Sequence, residues 1–276
     1  MIENKIELSD IEIKQELLTM LALLDEFLSS HNINYTIMSG TLLGAVRHDG
    51  FIPWDDDIDI GVIRPEYDKL VETIKLESTF GYDNYTFEGY EVGNLPIPFL
   101  KFCNKNIGIK TDNFNIGNHL WIDIFPIDGL PNKFDKPFKL FTMKFLRYIL
   151  YYKYELVFGF VHKSKSVISK RIILFIKKII RNISLDKILD IYIKFCKHFD
   201  IKNCDFIQDL TWGTKPIPKY LFDNLVDYQF ENITVKGFKD YDTYLTCIYG
   251  DYMKLPPEDQ RVNHGIKAWR VNSDEE

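Results

Sequence analysis

Ser39 to Val62 reads SGTLLGAVRHDGFIPWDDDIDIGV: a small-residue turn, an apolar run, one arginine (Arg47) and four aspartates within five positions. Ile58, Ile60 and Val62 alternate with Asp57, Asp59 and Gly61, the period-two pattern of a half-buried strand. Asp57 and Asp59 then share one face, with the branched aliphatic residues on the other. Two carboxylates at i and i+2 repel unless a cation lies between them, and hard cations such as Mg²⁺ prefer oxygen ligands. The spacing therefore predicts a metal-binding strand. Upstream, Ser39-Gly40-Thr41 forms a turn ahead of LLGAVRH, and N–H groups at such a helix start are placed to cradle a phosphate.

Two blander readings compete. Acidic runs are commonly solvated loops, but the strict alternation and the glycine turn argue against one here. A calcium loop would use Asp55, Asp57 and Asp59 at positions 1, 3 and 5, with Glu66 at position 12. That loop needs glycine at its sharp sixth position, where this chain has Ile60, and Pro53-Trp54 replaces the end of an incoming helix.

GTLLGAVRH followed by GFIPWDDDIDIG resembles, without a gap, the signature of the LicD family of phosphotransferases. That family is related to the fukutin proteins and belongs to the nucleotidyltransferase-fold superfamily. The superfamily pattern is a glycine and a small hydroxyl residue, an acid–apolar–acid–apolar strand, and a third acid on a later strand. Gly40-Thr41 and Asp57-Ile58-Asp59-Ile60 match its first two parts, with threonine where serine is usual. In HLWIDIFPIDGL (residues 119–130), Leu120, Ile122 and Ile124 alternate with Trp121, Asp123 and Phe125. An aspartate between isoleucines is costly to bury unless it is paired or ligates a metal, so Asp123 fits the third acid. Asp128-Gly129 reads as a turn. Near the C-terminus, YGDYMKLPPEDQRVNHG is similar to the family's closing signature, with Arg261 and His264 at the arginine and histidine positions.

The rest of the chain is ordinary in bulk and uneven in charge. It has 276 residues, 46% hydrophobic and 27% charged, enough for one large domain or a domain with a sizeable insert. Its four cysteines form no CxxC pair or metal-ligand spacing, which fits reduced thiols in a cytoplasmic setting. The N-terminus lacks the basic and apolar regions of a signal peptide, and no run reaches the length of a membrane span. The net charge of −6 conceals a basic middle: residues 133–202 hold 17 Lys and Arg against 5 Asp and Glu, a balance of +12, leaving −18 elsewhere. Such a segment is either an ordinary solvated helical face or a platform for anionic lipid or a polyanionic acceptor. The acidic whole and the lack of a recognised motif argue against nucleic acid.

Taken in order, Ser9 and Glu12 form a capping box opening a helix to about His31, with Leu17, Leu18, Leu21, Leu24 and Leu28 along one face. Tyr35–Met38 reads as a first strand, and Pro65 starts a helix over roughly 65–75. Tyr82–Glu88, Phe99–Cys103 and Ile107–Thr111 read as short strands, Pro137 to about Asp200 as basic helices, and Leu225–Gly237 as two more strands. The expected fold is mixed α+β: a nucleotidyltransferase-like core over 1–135, a basic helical insert over 136–204, and a C-terminal part, 205–276, completing the core.

The resemblance implies transfer of a phosphocholine-type group from a CDP-activated donor such as CDP-choline to a hydroxyl of a cell-surface glycan or its lipid-linked precursor. It implies Mg²⁺ or Mn²⁺ on Asp57, Asp59 and Asp123, and donor binding by Gly40, Thr41, Arg47, Trp54, Asp55, Asp56, Arg261 and His264. Asp123 or Asp56 would take the acceptor's proton. A quaternary ammonium has no hydrogen-bond donors and calls for aromatic faces, for which Trp54, Tyr90, Trp121 and Trp212 are candidates. Phosphoethanolamine or phosphoglycerol would suit the same machinery. Two other readings stay open: nucleotidylyl transfer of NMP to an acceptor, and a non-catalytic polymer-binding protein on this scaffold. The place of action is expected to be the cytoplasm, with peripheral contact at an anionic membrane through the basic helices.

Overall fold

A computed structural model of the protein describes residues 6–77, 83–111, 116–130, 137–158, 170–263 and 265–271. Helix α1 (Asp10–Ser30) opens on the expected capping box: the Ser9 hydroxyl accepts from the Glu12 amide while the Glu12 carboxylate accepts from the Ser9 amide. Its Leu17, Leu21, Leu24 and Leu28 are fully buried. Strand β1 (Thr36–Ile37) leads into α2 (Ser39–His48), then β2 (Asp59–Ile63) and α3 (Arg64–Leu76), which has proline in its first turn.

Strand β3 (Tyr85–Glu88) pairs with β4 (Leu100–Lys110), which pairs with β5 (His119–Gly129). The two short strands expected over 99–111 are thus one long strand, irregular between Asn104 and Gly108 where its register with β5 shifts. Helices α4 (Pro137–Phe158), α5 (Lys170–Ile180) and α6 (Leu185–Lys197) follow, then β6 (Phe206–Asp209), β7 (Ile217–Pro218), the hairpin β8 (Leu225–Phe230) and β9 (Ile233–Phe238), α7 (Tyr241–Tyr249) and β10 (Lys267–Arg270). The main sheet runs β1-β2-β5-β4-β10, with β3 on β4, β6 on β5 and β7 on β6. Among the described strands β2 and β5 form the one parallel pair, and the whole is the expected mixed α+β architecture.

Register divides this sheet into two faces. Asp59 is level with Asp123, Lys101 with Asp123, and Asp209 with Ile127, so Asp59, Lys101, Asp123, Phe125 and Asp209 all project to the same side. The opposite side carries Ile60, Leu100, Phe102, Ile122 and Ile124, all fully buried. Helices α1 and α3 cover that side: Asn104 Nδ2 donates to Glu16 of α1 at 2.7 Å, and Arg64 of α3 reaches Asp128.

Asp128 corrects the expectation of a turn. It lies within β5, 1% exposed, and accepts from Arg64 Nε at 2.6 Å and from Nη2 at 2.8 Å. A two-pronged guanidinium–carboxylate pair is the arrangement in which both charges can be buried. A second apolar cluster, containing Leu150, Tyr151, Tyr154, Ile188, Leu189 and Tyr192, holds α4, α5 and α6 together beside the main core.

Candidate active site

Asp59 is held through its backbone. Its N–H donates to Thr41 Oγ1 at 2.9 Å, and its carbonyl accepts from Met38 N at 2.9 Å. Thr41 is buried and borders neither cavity described below, and its hydroxyl fastens α2 to the start of β2. At the start of α2, Ser39 takes a left-handed conformation (φ 48°), and its N–H donates to the Tyr244 hydroxyl at 3.0 Å. A non-glycine residue pays of order 1 kcal/mol for that backbone. One N–H expected to hold phosphate is therefore already engaged. Asp55 approaches the backbone of Gly40 closely: a Cβ there would lie 2.3 Å from Asp55 Oδ2 and would push that carboxylate aside.

Two cavities meet at this point. An aromatic one of about 330 Å³ is bordered by Phe99, Lys101, Trp121, Asp123, Tyr151, Trp212 and Asp209, among others. A polar one of about 440 Å³ is bordered by Gly40, Arg47, Trp54, Asp55, Tyr249 and Lys254, among others. Ser39, Asp57 and Asp59 border both, and Asp123 borders the aromatic cavity. The strand pattern thus located the shared wall, although Asp57 lies just before β2 rather than within it. Burial raises the Asp59 carboxyl well above the usual range, and the charges of Asp57 and Asp123 push it further in the same direction.

The remaining expected residues are distributed around this wall. Arg47 Nη1 donates to the Tyr252 carbonyl at 2.7 Å, and the Arg261 guanidinium stacks over Trp54 at 5.2 Å. Asp56 accepts from Ile266 N at 3.4 Å. His264 lies outside the described residues. Of the four aromatic candidates, Trp121 and Trp212 border the aromatic cavity and Trp54 the polar one. Tyr90 borders neither: its hydroxyl donates to Asp190 of α6 at 2.9 Å.

Sequence reasoning missed two charged groups. Lys101, 5% exposed, sits on the face of Trp121 with Nζ 3.9 Å from the ring centroid, level with Asp123. Burial lowers its pKa while Asp123 raises it. Asp209, 3% exposed, accepts from Thr211 N at 2.8 Å and Trp212 N at 3.4 Å. Period two in β4 would have placed Lys101 opposite the isoleucine face; nothing local marks Asp209.

Among the described residues, no three acidic, imidazole or thiol groups are gathered closely enough to form a ready-made metal cage. Mg²⁺ is ordinarily held by one or two carboxylates together with substrate phosphate and water, so an open wall of hard oxygen donors beside a polar cavity fits it. The crowding of like charge around Asp59 is what a divalent cation would relieve.

A family model described as LicD/FKTN/FKRP, nucleotidyltransferase domain, matches residues 32–158, the segment that carries all three aspartates. Over 278 aligned residues the chain is 30% identical to the lipopolysaccharide cholinephosphotransferase LicD of Haemophilus influenzae, covering 93% of this chain and 97% of that protein. The chain belongs to the LicD family. Uncharacterized proteins of Rickettsia prowazekii and Rickettsia typhi are 46% and 47% identical to it over 65 and 57 residues, about a fifth of this chain in each case. The similarity to the Haemophilus LicD extends past the family model into the helices and C-terminal strands, so the aromatic cavity, built partly by α4 and β6, falls within a chain comparable along its length.

Proposed function

We propose that this LicD-family chain transfers a phosphocholine-type group from a CDP-activated donor to a hydroxyl of a cell-surface glycan or its lipid-linked precursor. The observation that carries this reading is the wall of Asp57 and Asp59 between a polar and an aromatic cavity, in a chain similar along its length to a cholinephosphotransferase. The polar cavity takes the nucleotide and leaving phosphate, with Arg47 and Lys254 supplying positive charge and the Trp54–Arg261 stack a flat surface. The transferred phosphorus lies at the wall. Asp57, Asp59 and Asp123 would hold Mg²⁺ or Mn²⁺, which when bound neutralises the pyrophosphate and stabilises the attacking and leaving oxygens.

The chain's own groups do the rest. Lys101 offers a cation on the aromatic side of the wall. Asp123 borders that side alone of the two, and we assign its carboxylate to receive the acceptor hydroxyl's proton. Four cysteines, none bridged in the structure, suit a reducing cytoplasmic setting. We also infer peripheral contact with an anionic membrane through α4 and α5. Among the described residues no helix is long and apolar enough to cross a membrane. Yet Phe141, Phe145, Leu174, Phe175 and Ile179 are exposed in this basic segment.

The test is incubation with CDP-choline, CDP-ethanolamine and CDP-glycerol plus a glycan acceptor and Mg²⁺. Release of free CMP with headgroup phosphate gained by the acceptor supports the proposal. CMP retained on the acceptor would establish nucleotidylyl transfer instead, and metal binding without turnover of any donor would favour a polymer-binding scaffold.

A further inference from the structure

The aromatic cavity carries opposite charges at different rungs of one sheet face. Lys101 stands level with Asp123, and Asp209 stands level with Ile127, four residues further along β5. At the rise of an extended strand those rungs are about 13 Å apart along the backbone, but the side chains lean into one cavity, where the Asp209 charge acts on Asp59. Both side chains project to the cavity side, with Phe125 between them. A ligand lying along this face meets a cation near the wall and an anion beyond it.

The far end is built from rings. Trp212 stacks on Tyr151, with centroids 6.4 Å apart and planes inclined by 21°, and lies 6.2 Å from Phe99. The Tyr151 hydroxyl donates to the Thr211 carbonyl at 2.7 Å, fixing its ring beside the loop that carries Trp212. Trp212 itself is 49% exposed, so the rings form the margin of an accessible chamber. Trp121 is a different case, because Lys101 already lies on its face. Among the described residues Asp209 forms no ion pair with lysine or arginine; its oxygens receive the Thr211 and Trp212 amides.

We propose that Asp209, Trp212, Tyr151 and Phe99 form a subsite for a quaternary ammonium headgroup, the positive end of a zwitterion whose phosphate lies at the Asp57–Asp59 wall. The proposal rests on the phosphotransfer reading for the ligand's phosphate end, and the cation end follows from this chain's own geometry. A quaternary ammonium offers no N–H, so it gains from ring faces and from an anion at a distance rather than from hydrogen-bond acceptors. Asp209 already accepting two amides is therefore no obstacle, whereas a primary ammonium would compete with them. A glycerol headgroup would leave the carboxylate uncompensated and its own hydroxyls facing rings.

The experiment measures binding by the full chain of phosphocholine, phosphoethanolamine and phosphoglycerol, with tetramethylammonium chloride as competitor, by saturation transfer to the ligand methyl or methylene protons. Phosphocholine should bind most tightly, and tetramethylammonium should displace it. Asp209→Asn and Trp212→Leu should each weaken phosphocholine binding about tenfold, with little change for phosphoglycerol. Trp212 is half exposed, so its variant decides the matter if Asp209→Asn does not fold. Equal affinity for phosphoglycerol, or wild-type phosphocholine affinity in the folded variants, overturns the subsite. Headgroup binding that depends on these residues, with no CMP released from any CDP donor, overturns the transfer reading while the subsite stands. CMP release from subsaturating CDP-choline unaffected by either variant does the reverse.

Discussion

Asp59 and Asp123 occupy the same rung of two adjacent parallel strands, so two carboxylates remote in sequence stand side by side on one sheet face. Neighbouring strands lie about 4.8 Å apart, and Asp57 borders the same cavity. Burial and the neighbouring charges raise the Asp59 carboxyl well above its usual range, so the metal-free wall is electrostatically strained.

That strain separates stability from activity. Asp59→Asn should raise the unfolding midpoint of the chelated protein, by about 0.5–2 kcal/mol in stability, and Asp59→Asn and Asp123→Asn should each lower kcat roughly a thousandfold or more. Added Mg²⁺ should stabilise the wild type and leave both variants unchanged, because a cation bound only by the folded state shifts unfolding by mass action. Thermal unfolding with EDTA and with excess Mg²⁺ reads this without any substrate. Equal Mg²⁺ stabilisation of all three proteins would place the metal elsewhere.

Lys101 gives a second such separation. Replacing it with methionine removes a desolvated charge and keeps the stem over Trp121, so stability should change by less than about 1.5 kcal/mol. The KM for a CDP donor should rise about tenfold if the ammonium meets donor phosphate, as expected for loss of one charge-assisted hydrogen bond. An unchanged KM would make Lys101 a partner of Asp123 alone.

Legibility followed the range of the signal. The capping box of α1 and the strand at β2 are local, and both were legible from Ser9, Glu12 and the Asp57–Val62 pattern, although the strand begins at Asp59 and buries Gly61 as well as Ile60 and Val62. Asp123 needed the pattern of a second strand, and only the ladder shows that it stands beside Asp59. Asp128 was misread because Asp-Gly is a frequent turn pair, and nothing nearby in sequence announces that Arg64 neutralises it. Lys101 and Asp209 were overlooked for the same reason: each sits in an unremarkable strand and acquires its role from the strand across the ladder. The helices over 137–158, 170–180 and 185–197 were legible as helix and as basic, but the face on which Tyr151 and Tyr154 reach the cavity depends on tertiary packing.

The Arg64–Asp128 pair should behave as a buried ion pair. Asp128→Ala leaves a guanidinium beneath the sheet and should cost about 3–5 kcal/mol, whereas Arg64→Met with Asp128→Leu should recover most of it. Denaturant unfolding of the single and double variants measures the coupling. Additive losses would show that Glu91 and Asp68, the other acids near Arg64, carry the guanidinium instead.

Asp209 should give stability a distinctive pH dependence. Burial raises its pKa from 3.8 to about 6 against the lowering effect of the Thr211 and Trp212 amides. The native state then holds this proton more tightly than the unfolded chain. Its contribution is therefore greatest below about pH 4 and is lost as pH rises through 6, on the order of 2–3 kcal/mol in all. Asparagine at 209 has no such titration. In chelated protein, the unfolding midpoint of Asp209→Asn minus that of the wild type should increase between pH 4 and pH 7; a constant difference would show that Asp209 titrates normally.

The basic helices supply the last test. On α5, Leu174, Lys178, Phe175 and Ile179 fall in that angular order along one exposed arc, while Ile180 is buried and Lys177 turns to Glu155. Phe141 and Phe145 of α4 are likewise exposed and stack on each other, with centroids 6.3 Å apart. A merely solvated face would not carry apolar side chains at this density, whereas an interfacial helix inserts such residues and holds its lysines to headgroup charge. The wild type should therefore sediment with phosphatidylserine vesicles more than with phosphatidylcholine vesicles, and rising salt should weaken the attachment. Leu174→Asp with Phe175→Asp should abolish it at every salt concentration while leaving turnover of a soluble acceptor intact, since neither residue borders the active-site cavities. If the double variant sediments like the wild type, the exposed arc is not the membrane contact; if neither protein sediments at low salt, the basic segment is a solvated face, and the acceptor must reach the enzyme without a shared surface.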